Sequence, residues 1–347
     1  MDPVINTASL NRTSEKYDPV LKTLPFGFLN DVLTAMGINI MEVAGKDTFV
    51  TFNRLGGISK PYKSGVLDYS DLGKATERSL EVKTSYAALK EHIMNYRGKL
   101  ITTNQPEKEK VDNQGKKHPL EFLFLREMVK TTSEDIIDAL FHAERDETDK
   151  SPLGMFDGLC KHIADYIIAG EISAAKGNLF ATGSIVAPIN ATDTAAYKKV
   201  VNFIRAADPF LRKNAVLYMS NATLFHAQDA LGNLLVNKDV FEFEAFLRHL
   251  RGSTASPNLQ IVSNEAMGTG DQLILTVERN LDLGLNTRGD HQFVQVRNPY
   301  EDPNLVQFWS QWDAGTRIRH THKKMFQVND GVPVSQLMSG DYVVTPS

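Results

Sequence analysis

Residues Pro119 to Arg145 constrain the chain more than any other stretch. Apolar residues recur at Phe122, Leu125, Val129, Ile136, Leu140 and Ala143, in steps of three or four or close multiples, with Thr132 filling the gap. That spacing predicts one continuous helical stripe. Glu127, Lys130, Thr131, Glu134, Asp135 and Asp138 fall mostly on the other side. Pro119 suits a first helical position, where its missing N–H costs nothing. At about 1.5 Å per residue the helix would run on the order of 40 Å, longer than the usual globular helix of roughly 8–20 residues. Thr131-Thr132-Ser133 is the soft spot, where Ser133 could instead cap a second helix. One rod is the favoured reading. A rod with a single apolar face needs a sheet or a neighbouring helix along its whole length, so this element is scaffolding and not chemistry.

The rest of the chain must supply that partner. Its 347 residues are enough for about two domains and a sizeable core. A hydrophobic content of 42% and a charged content of 23% describe an ordinary soluble globular protein. The net charge of −4 excludes neither nucleic-acid nor protein partners. Charge is unevenly spread: residues 46–117 hold 14 Lys and Arg against 9 Asp and Glu, and the remainder holds 24 against 33. One region can therefore attract another, within a chain or between copies, although a solvated basic loop explains the excess equally. The single cysteine, Cys160, rules out an internal disulfide framework and a cysteine-based zinc site. Beside Leu159 and Ile163 it reads as a small buried hydrophobe. The sequence from Met1-Asp2-Pro3 does not read as a signal peptide, and no run of about 18 apolar residues implies a membrane span. A reducing cytoplasm, or an assembly made there, is the expected setting.

Residues 1–25 are polar, with Pro3, Pro19 and Pro25, and read as an arm or disordered leader. Phe28, Leu29, Val32, Leu33 and Met36 predict a short amphipathic helix within residues 26–44, ended by Gly37. Residues 46–85 read as a long hairpin or extended loop, with Phe49 to Phe52 as one strand and Ser79 to Val82 as the return. Gly56-Gly57 is a turn signal between them. A long stretch with so few core residues is rare in a compact domain unless it reaches a partner. Tyr86 to Tyr96 reads as a helix stopped by Gly98, and Thr102 to Lys117 as a surface loop.

After the long helix, residues 146–152 force a break. Gly154-Met155-Phe156-Asp157-Gly158-Leu159 then enters a helix with Leu159, Ile163, Tyr166 and Ile167 on one face. Gly177 and Gly183 mark further turns. Beyond Ala187 the pattern alternates. Helices are expected over Asp193 to Ala207 and Ala222 to Leu234, and strands over Ala215 to Met219, Asn258 to Val262 and Gln272 to Val277. That is a compact α/β unit with its own sheet. Strands at Phe293 to Arg297, Val306 to Trp312 and Thr316 to Lys323 follow, the last two joined by a turn at Gly315, and Tyr342-Val343-Val344 could add an edge strand.

Few residues offer chemistry. His320 and His322 would share one face of a strand and could bind a metal, with Asp290-His291 completing the set. Arg317, Arg319, Lys323 and Lys324 surround the pair, and that positive field opposes a dication. Gly268-x-Gly270 before Asp271 lacks the lysine and helix of a phosphate loop and reads better as a turn feeding a strand. No nucleophile elbow or zincin motif is present. Phe308, Trp309, Trp312 and Phe326 could stack on bases or sugars, but core or subunit contact is the commoner use. Val306, Phe308 and Ser310 share one strand face, and Gln307, Trp309 and Gln311 the other. No catalytic, cofactor-binding or metal-binding residue is assigned, and no cofactor is expected.

The order of elements carries a resemblance. A polar arm, a long extended loop, one long helix, a turn into Phe156-Asp157-Gly158-Leu159, an inserted α/β unit and closing strands follow one another. Lys213 to Ser220, ending Leu217-Tyr218-Met219-Ser220, and Gln272 to Leu285 add two short matches. The chain resembles the major capsid protein of tailed bacteriophages, with the Hong Kong 97-like fold shared with encapsulins. The resemblance implies an α+β capsid fold with residues 1–45 as N-terminal arm and 46–85 as extended loop. It makes residues 86–186 and 287–347 a peripheral domain built on the spine helix, and residues 187–286 an axial domain. It implies an icosahedral virion shell of hexamers and pentamers around double-stranded DNA, assembled in the host cytoplasm. Scaffold, portal and decoration proteins would be further partners, DNA contact would be non-specific, and no membrane or enzyme activity is implied. An encapsulin-like protein compartment is the alternative on the same fold, and a metal-binding enzyme using His320 and His322 a more distant one.

Overall fold

The computed structural model describes residues 7–53, 74–92, 110–111, 117–118, 120–235, 243–286, 294–297 and 305–331. The chain opens with helix α1 (Thr7–Ala35), then β1 (Asn39–Glu42), the pair β2 (Lys46–Asn53) and β3 (Lys74–Glu81), and β4 (Lys83–His92). A two-residue ladder, β5 (Lys110–Val111) with β6 (Lys117–His118), precedes helix α2 (Leu120–His142). Next come α3 (Leu159–Ile168), β7 (Leu179–Phe180), α4 (Ala195–Ala206), α5 (Pro209–Lys213), β8 (Ala215–Ser220), α6 (Asn221–Leu234) and α7 (Phe243–Thr254). Strands β9 (Gln260–Asn264), β10 (Ile274–Val277), β11 (Leu281–Asn286), β12 (Val294–Arg297), β13 (Leu305–Ile318) and β14 (Phe326–Asn329) complete it. Among the described residues no helix is long and apolar enough to cross a membrane.

The spacing-predicted rod is α2, and it runs unbroken through Thr131-Thr132-Ser133. Each of those hydroxyls bonds back one turn, to the carbonyls of Glu127, Met128 and Val129 at 3.1, 3.1 and 3.0 Å. The polar groups are satisfied inside the helix, so nothing forces a second cap. Leu125, Val129, Ile136, Leu140 and Ala143 are buried as the stripe requires, and Met128, Ala139, Phe141 and His142 join them. The last turn is buried on every side.

Its partner is α1, which packs along it. This corrects the disordered-leader reading for residues 7–25: helix begins at Thr7 and passes through Pro19 and Pro25. Two internal prolines each remove a backbone bond. Burial outweighs that loss, because Ser14, Leu21, Pro25, Leu29 and Leu33 recur at helical spacing and are all buried. The expected stop at Gly37 stands. Gly37 has φ +73°, its N–H bonds to Thr34 O and the Ile38 N–H to Leu33 O, the two bonds of a Schellman cap.

Two sheets frame the molecule. In the first the order is β1-β11-β13-β12, with β4 on the other edge of β13. β13 is its common member, pairing with β4 over Leu305 to Ala314 on one edge, and on the other with β12 and then β11. Two expectations are corrected here. Tyr86 to His92, the described part of the expected helix, is strand, since residues 83–92 form β4. Its Ala, Leu, Lys and Glu content suits a helix, but pairing along β13 overrides local propensity. Gly315 is not a turn either. β13 passes straight through it, and residues 319–325 form the bend. The two faces expected of this strand differ in burial: Val306, Phe308 and Ser310 are buried, as is Trp312, and Trp309 is partly exposed.

The second sheet has the order β7-β14-β10-β8-β9. It takes β14 and β7 from outside residues 187–286, whereas β11, from within them, pairs in the first sheet. The sheet is a wall between two apolar cores. Val216, Tyr218, Ile274, Phe326 and Val328 face the core of α1 and α2. Ala215, Leu217, Met219, Leu273 and Leu275 face the core of α4, α6 and α7. Strict alternation along β8 and β10 is what lets one sheet serve both. α7 has no counterpart among the expected elements. Ile167, expected inward on α3, is partly exposed. Expectations at Gly56-Gly57, Ile93 to Gly98, most of Thr102 to Lys117, Asp290-His291 and Tyr342 to Val344 lie outside the described residues.

Candidate functional site

The feature that asks for a functional account is the root of the β2–β3 hairpin. The two strands pair in register from Lys46↔Glu81 to Asn53↔Lys74. Among the described residues a small apolar cluster forms at their base: Val43, Leu80 and Val82, with Met41 against it. The strands close on the first sheet where Gly284 and Gly315 stand opposite each other on β11 and β13. A Cβ at Gly284 would meet Leu80 Cδ2 at 2.9 Å, and one at Gly315 would overlap the Glu81 carbonyl. The glycine pair is a saddle on which the hairpin base sits. Glycine inside a strand pattern marks such a close backbone approach.

Charge fixes the hairpin in place. Asp282 is fully buried on β11, in register with Asn39 on β1 and Arg317 on β13. Its carboxylate accepts from Arg317 Nη2 at 2.8 Å, Arg319 Nε at 2.7 Å and Asn39 Nδ2 at 3.1 Å. Arg317, itself buried, reaches on to Asp47 Oδ2 of β2 at 3.1 Å. Both guanidinium groups lie 5.6 Å from the ring of Phe49, also on β2. Across the hairpin from Phe49 is Arg78 of β3. It pairs with Glu171, donates to Thr321 Oγ1 at 2.8 Å and lies 4.4 Å over the Tyr166 ring. Three guanidiniums thus face three carboxylates, drawn from β2, β3, β11, β13, the turn after α3 and the bend after β13. Such an arrangement can hold an element at one angle, and it contains no nucleophile or acid–base pair.

The expected histidines fall beside this cluster. His320 and His322 lie in the bend after β13, not on a strand. His320 packs edge-on against Phe49 with ring centroids 5.6 Å apart. Burial, then Arg78 and Arg319, hold its imidazole below the ordinary value. His322 is lowered by burial and by Lys324 and Lys323, and its Nδ1 accepts from the Lys324 N–H at 3.3 Å. Among the described residues no group of three or more His, Cys, Asp or Glu is disposed to hold a metal ion. Cys160 is buried and its thiol is pushed up to about 12 by burial. Asp271 holds the segment after β7, accepting from Ser184 Oγ at 2.7 Å and Ile185 N at 2.9 Å. The Asp282–Arg317–Arg78 cluster itself was not foreseen. Its signal was available only as charged residues at inward strand positions, such as Asp282 between Leu281 and Leu283.

No protein-family model and no curated protein matches the sequence. Solved structures do match by shape. The satellite phage P4 procapsid, in a structure that includes the size determination (Sid) protein, superposes with a TM-score of 0.57 at 15% identity, covering 88% of this chain and 89% of that one. The capsid of an empty GTA particle gives 0.51 at 13%, covering 85% and 88%. The capsid of Myoviridae phage XM1 gives 0.50 at 12%, covering 85% and 90%. Over most of its length, this chain therefore has the mixed α+β fold of phage capsid proteins.

Proposed function

We propose that the chain is a major capsid protein, which self-assembles into the icosahedral shell around the double-stranded DNA of a tailed phage. The observation that carries this reading is the capsid fold spanning 88% of the chain. The anchored hairpin supports it: a strand pair held at a fixed angle by buried charge serves contact with a neighbour better than it serves catalysis. On this reading residues 1–45 are the arm and 46–85 the extended loop. Residues 86–186 and 287–347 form the peripheral domain on α2, and residues 187–286 the axial domain, with β7 and β14 lent to its sheet and β11 lent to the first. The protein's role is structural, its place is the virion capsid, and its main partner is itself in hexamers and pentamers. Scaffold, portal and decoration proteins and the packaged DNA are the further partners, and assembly takes place in the host cytoplasm.

The test is negative-stain electron microscopy and size exclusion of the chain expressed alone and together with its neighbouring structural genes. Closed shells or five- and six-membered rings are expected, and DNA inside native particles separates a virion from a protein compartment. A chain that stays monomeric under both conditions would sink the reading. Deleting Ser59 to Gly73 should leave a folded chain that no longer makes stable shells. Normal shells from that deletion would remove the loop assignment.

A further inference from the structure

The first sheet turns one face to the core of α1 and α2, and the hairpin base covers one end of the other. Along β13 the outward side chains are the odd-numbered ones. Arg317 bonds to the hairpin and Gly315 lies beneath it. The next outward residue, Asp313, accepts from Thr84 Oγ1 at 2.8 Å and Asn286 Nδ2 at 3.4 Å. Beyond it come Gln311, Trp309 and Gln307. Of the aromatics in the closing strands, Phe308, Trp312 and Phe326 are buried, whereas Trp309 is 38% exposed. Ala88 of β4 stands opposite Trp309 on one side and Gln295 of β12 on the other. Gln311 stands opposite Tyr86, which is 70% exposed. Tyr86 and Trp309 are therefore diagonal neighbours on adjacent strands, roughly 7–8 Å apart.

The polar groups of this open end are unclaimed. Among the described residues the Tyr86 hydroxyl and the Gln307 and Gln311 amides have no hydrogen-bond partner. The Gln295 side-chain oxygen accepts from Arg297 Nη2 at 2.9 Å, which leaves its NH2 group as a donor. At the far end Gln307 lies between Lys90 and Arg297, both exposed. Among the described residues neither cation forms a salt bridge. No Asp or Glu occupies the outward positions from Tyr86 to Lys90, from Gln295 to Arg297 or from Gln307 to Gln311.

We propose that this face binds an acidic polysaccharide, with successive sugar rings lying on Tyr86 and Trp309, hydroxyls paired to the glutamines, and a uronate carboxylate held by Lys90 and Arg297. The aromatic faces offer negative π-density to the C–H groups of a pyranose ring. Each amide both donates and accepts, as the hydroxyls of a sugar do. Two cations without a carboxylate beside them complement an anionic ligand. An apolar protein surface would bury the glutamine amides unpaired, which is costly. Single-stranded nucleic acid also stacks on aromatics, but it carries a phosphate at every base. Here the cations sit together at one end, beyond the rings rather than along them. The site needs only the first sheet and is independent of the capsid reading.

The experiment is isothermal titration calorimetry of the full chain with a hyaluronan hexasaccharide. Chitohexaose is its neutral counterpart, and a short deoxythymidine oligonucleotide the nucleic-acid control. Saturable binding of the hyaluronan oligomer is expected, tighter than that of either control. It should change the tryptophan fluorescence, since Trp309 is the exposed one of the chain's two tryptophans. Trp309→Ala should weaken binding by about tenfold. Tyr86→Ala, at the more exposed position, is the second test, and an unchanged thermal midpoint verifies folding of each. Lys90→Gln combined with Arg297→Gln should bring the acidic oligomer down to the affinity of the neutral one. A folded wild-type chain that ignores the hyaluronan oligomer would overturn the proposal. So would wild-type affinity in both aromatic variants, equal binding of chitohexaose, or tighter binding of the oligonucleotide. Shell formation is read separately by electron microscopy, so each of these failures leaves the capsid reading untouched.

Discussion

The hairpin root and the second lobe are held by opposite means. The lobe's core, between the second sheet and α4, α6 and α7, is an apolar cluster, with Phe203, Leu211, Phe246, Leu217 and Leu275 all fully buried. Burial of that kind is strong and non-directional. The root has three buried apolar residues and a buried carboxylate gripped by two guanidiniums. Ion pairs out of water repay their desolvation only when the geometry is good, so the cluster adds little net stability. What it adds is direction: each bond is satisfied at one angle of the hairpin. The lobe is built to be stable, and the root to be oriented.

The comparison breaks most visibly at one residue on each side. Asp282→Ala leaves Arg317 and Arg319 buried without their carboxylate and should cost about 3–5 kcal/mol. Phe203→Ala should cost a similar 3–5 kcal/mol or so through lost burial and a cavity. The readouts differ. Amide exchange should rise first in residues 46–53 and 74–81 for Asp282→Ala, and across the lobe for Phe203→Ala. Identical exchange maps would mean that root and lobe are one cooperative unit.

A finer test lies in the saddle. Gly315→Ala drives a methyl into the Glu81 backbone, which cannot rotate away, and should cost about 1–3 kcal/mol. Gly284→Ala meets side chains rather than backbone, Leu80 Cδ2 at 2.9 Å and Val82 Cγ1 at 3.0 Å, and should cost less. Equal losses of thermal midpoint would show that the hairpin base does not rest on Gly315. Glu171→Gln is milder again. Its carboxylate is 36% exposed, and exposed pairs contribute about 0.2–1 kcal/mol. It should loosen the Arg78 side of the root without moving the global midpoint.

These differences also explain what the sequence disclosed. α2 was legible because its apolar stripe records burial directly, and α4, β8 and α6 were legible for the same reason. α1 was not, because Pro19 and Pro25 speak locally while the compensating contacts lie on α2. β4 was not, because its composition suits a helix and its partner β13 is more than 200 residues away. Gly315 looked like a turn because its reason, the backbone of Glu81, is invisible in one dimension. The cluster at the root was hidden most completely. Asp282, Arg317 and Arg78 come from distant strands, and only register places them together.

The smallest effect separates root from core by pH. Burial, then Arg78 and Arg319, lower the His320 imidazole from its ordinary value near 6.5. The folded state therefore binds its proton less readily than the unfolded chain. Its contribution to stability is complete above that value and is lost as pH falls below it. Protonation adds a positive charge beside guanidiniums that already match their carboxylates. Exchange in residues 46–53 and 74–81 should therefore rise on acidification below about pH 6.5, ahead of any change in the second lobe. His320→Gln should flatten that rise. If the variant keeps the wild-type slope, the acid response belongs to other groups, such as His142 and His162, which burial also lowers. The root would then be no more acid-sensitive than the core it is set against.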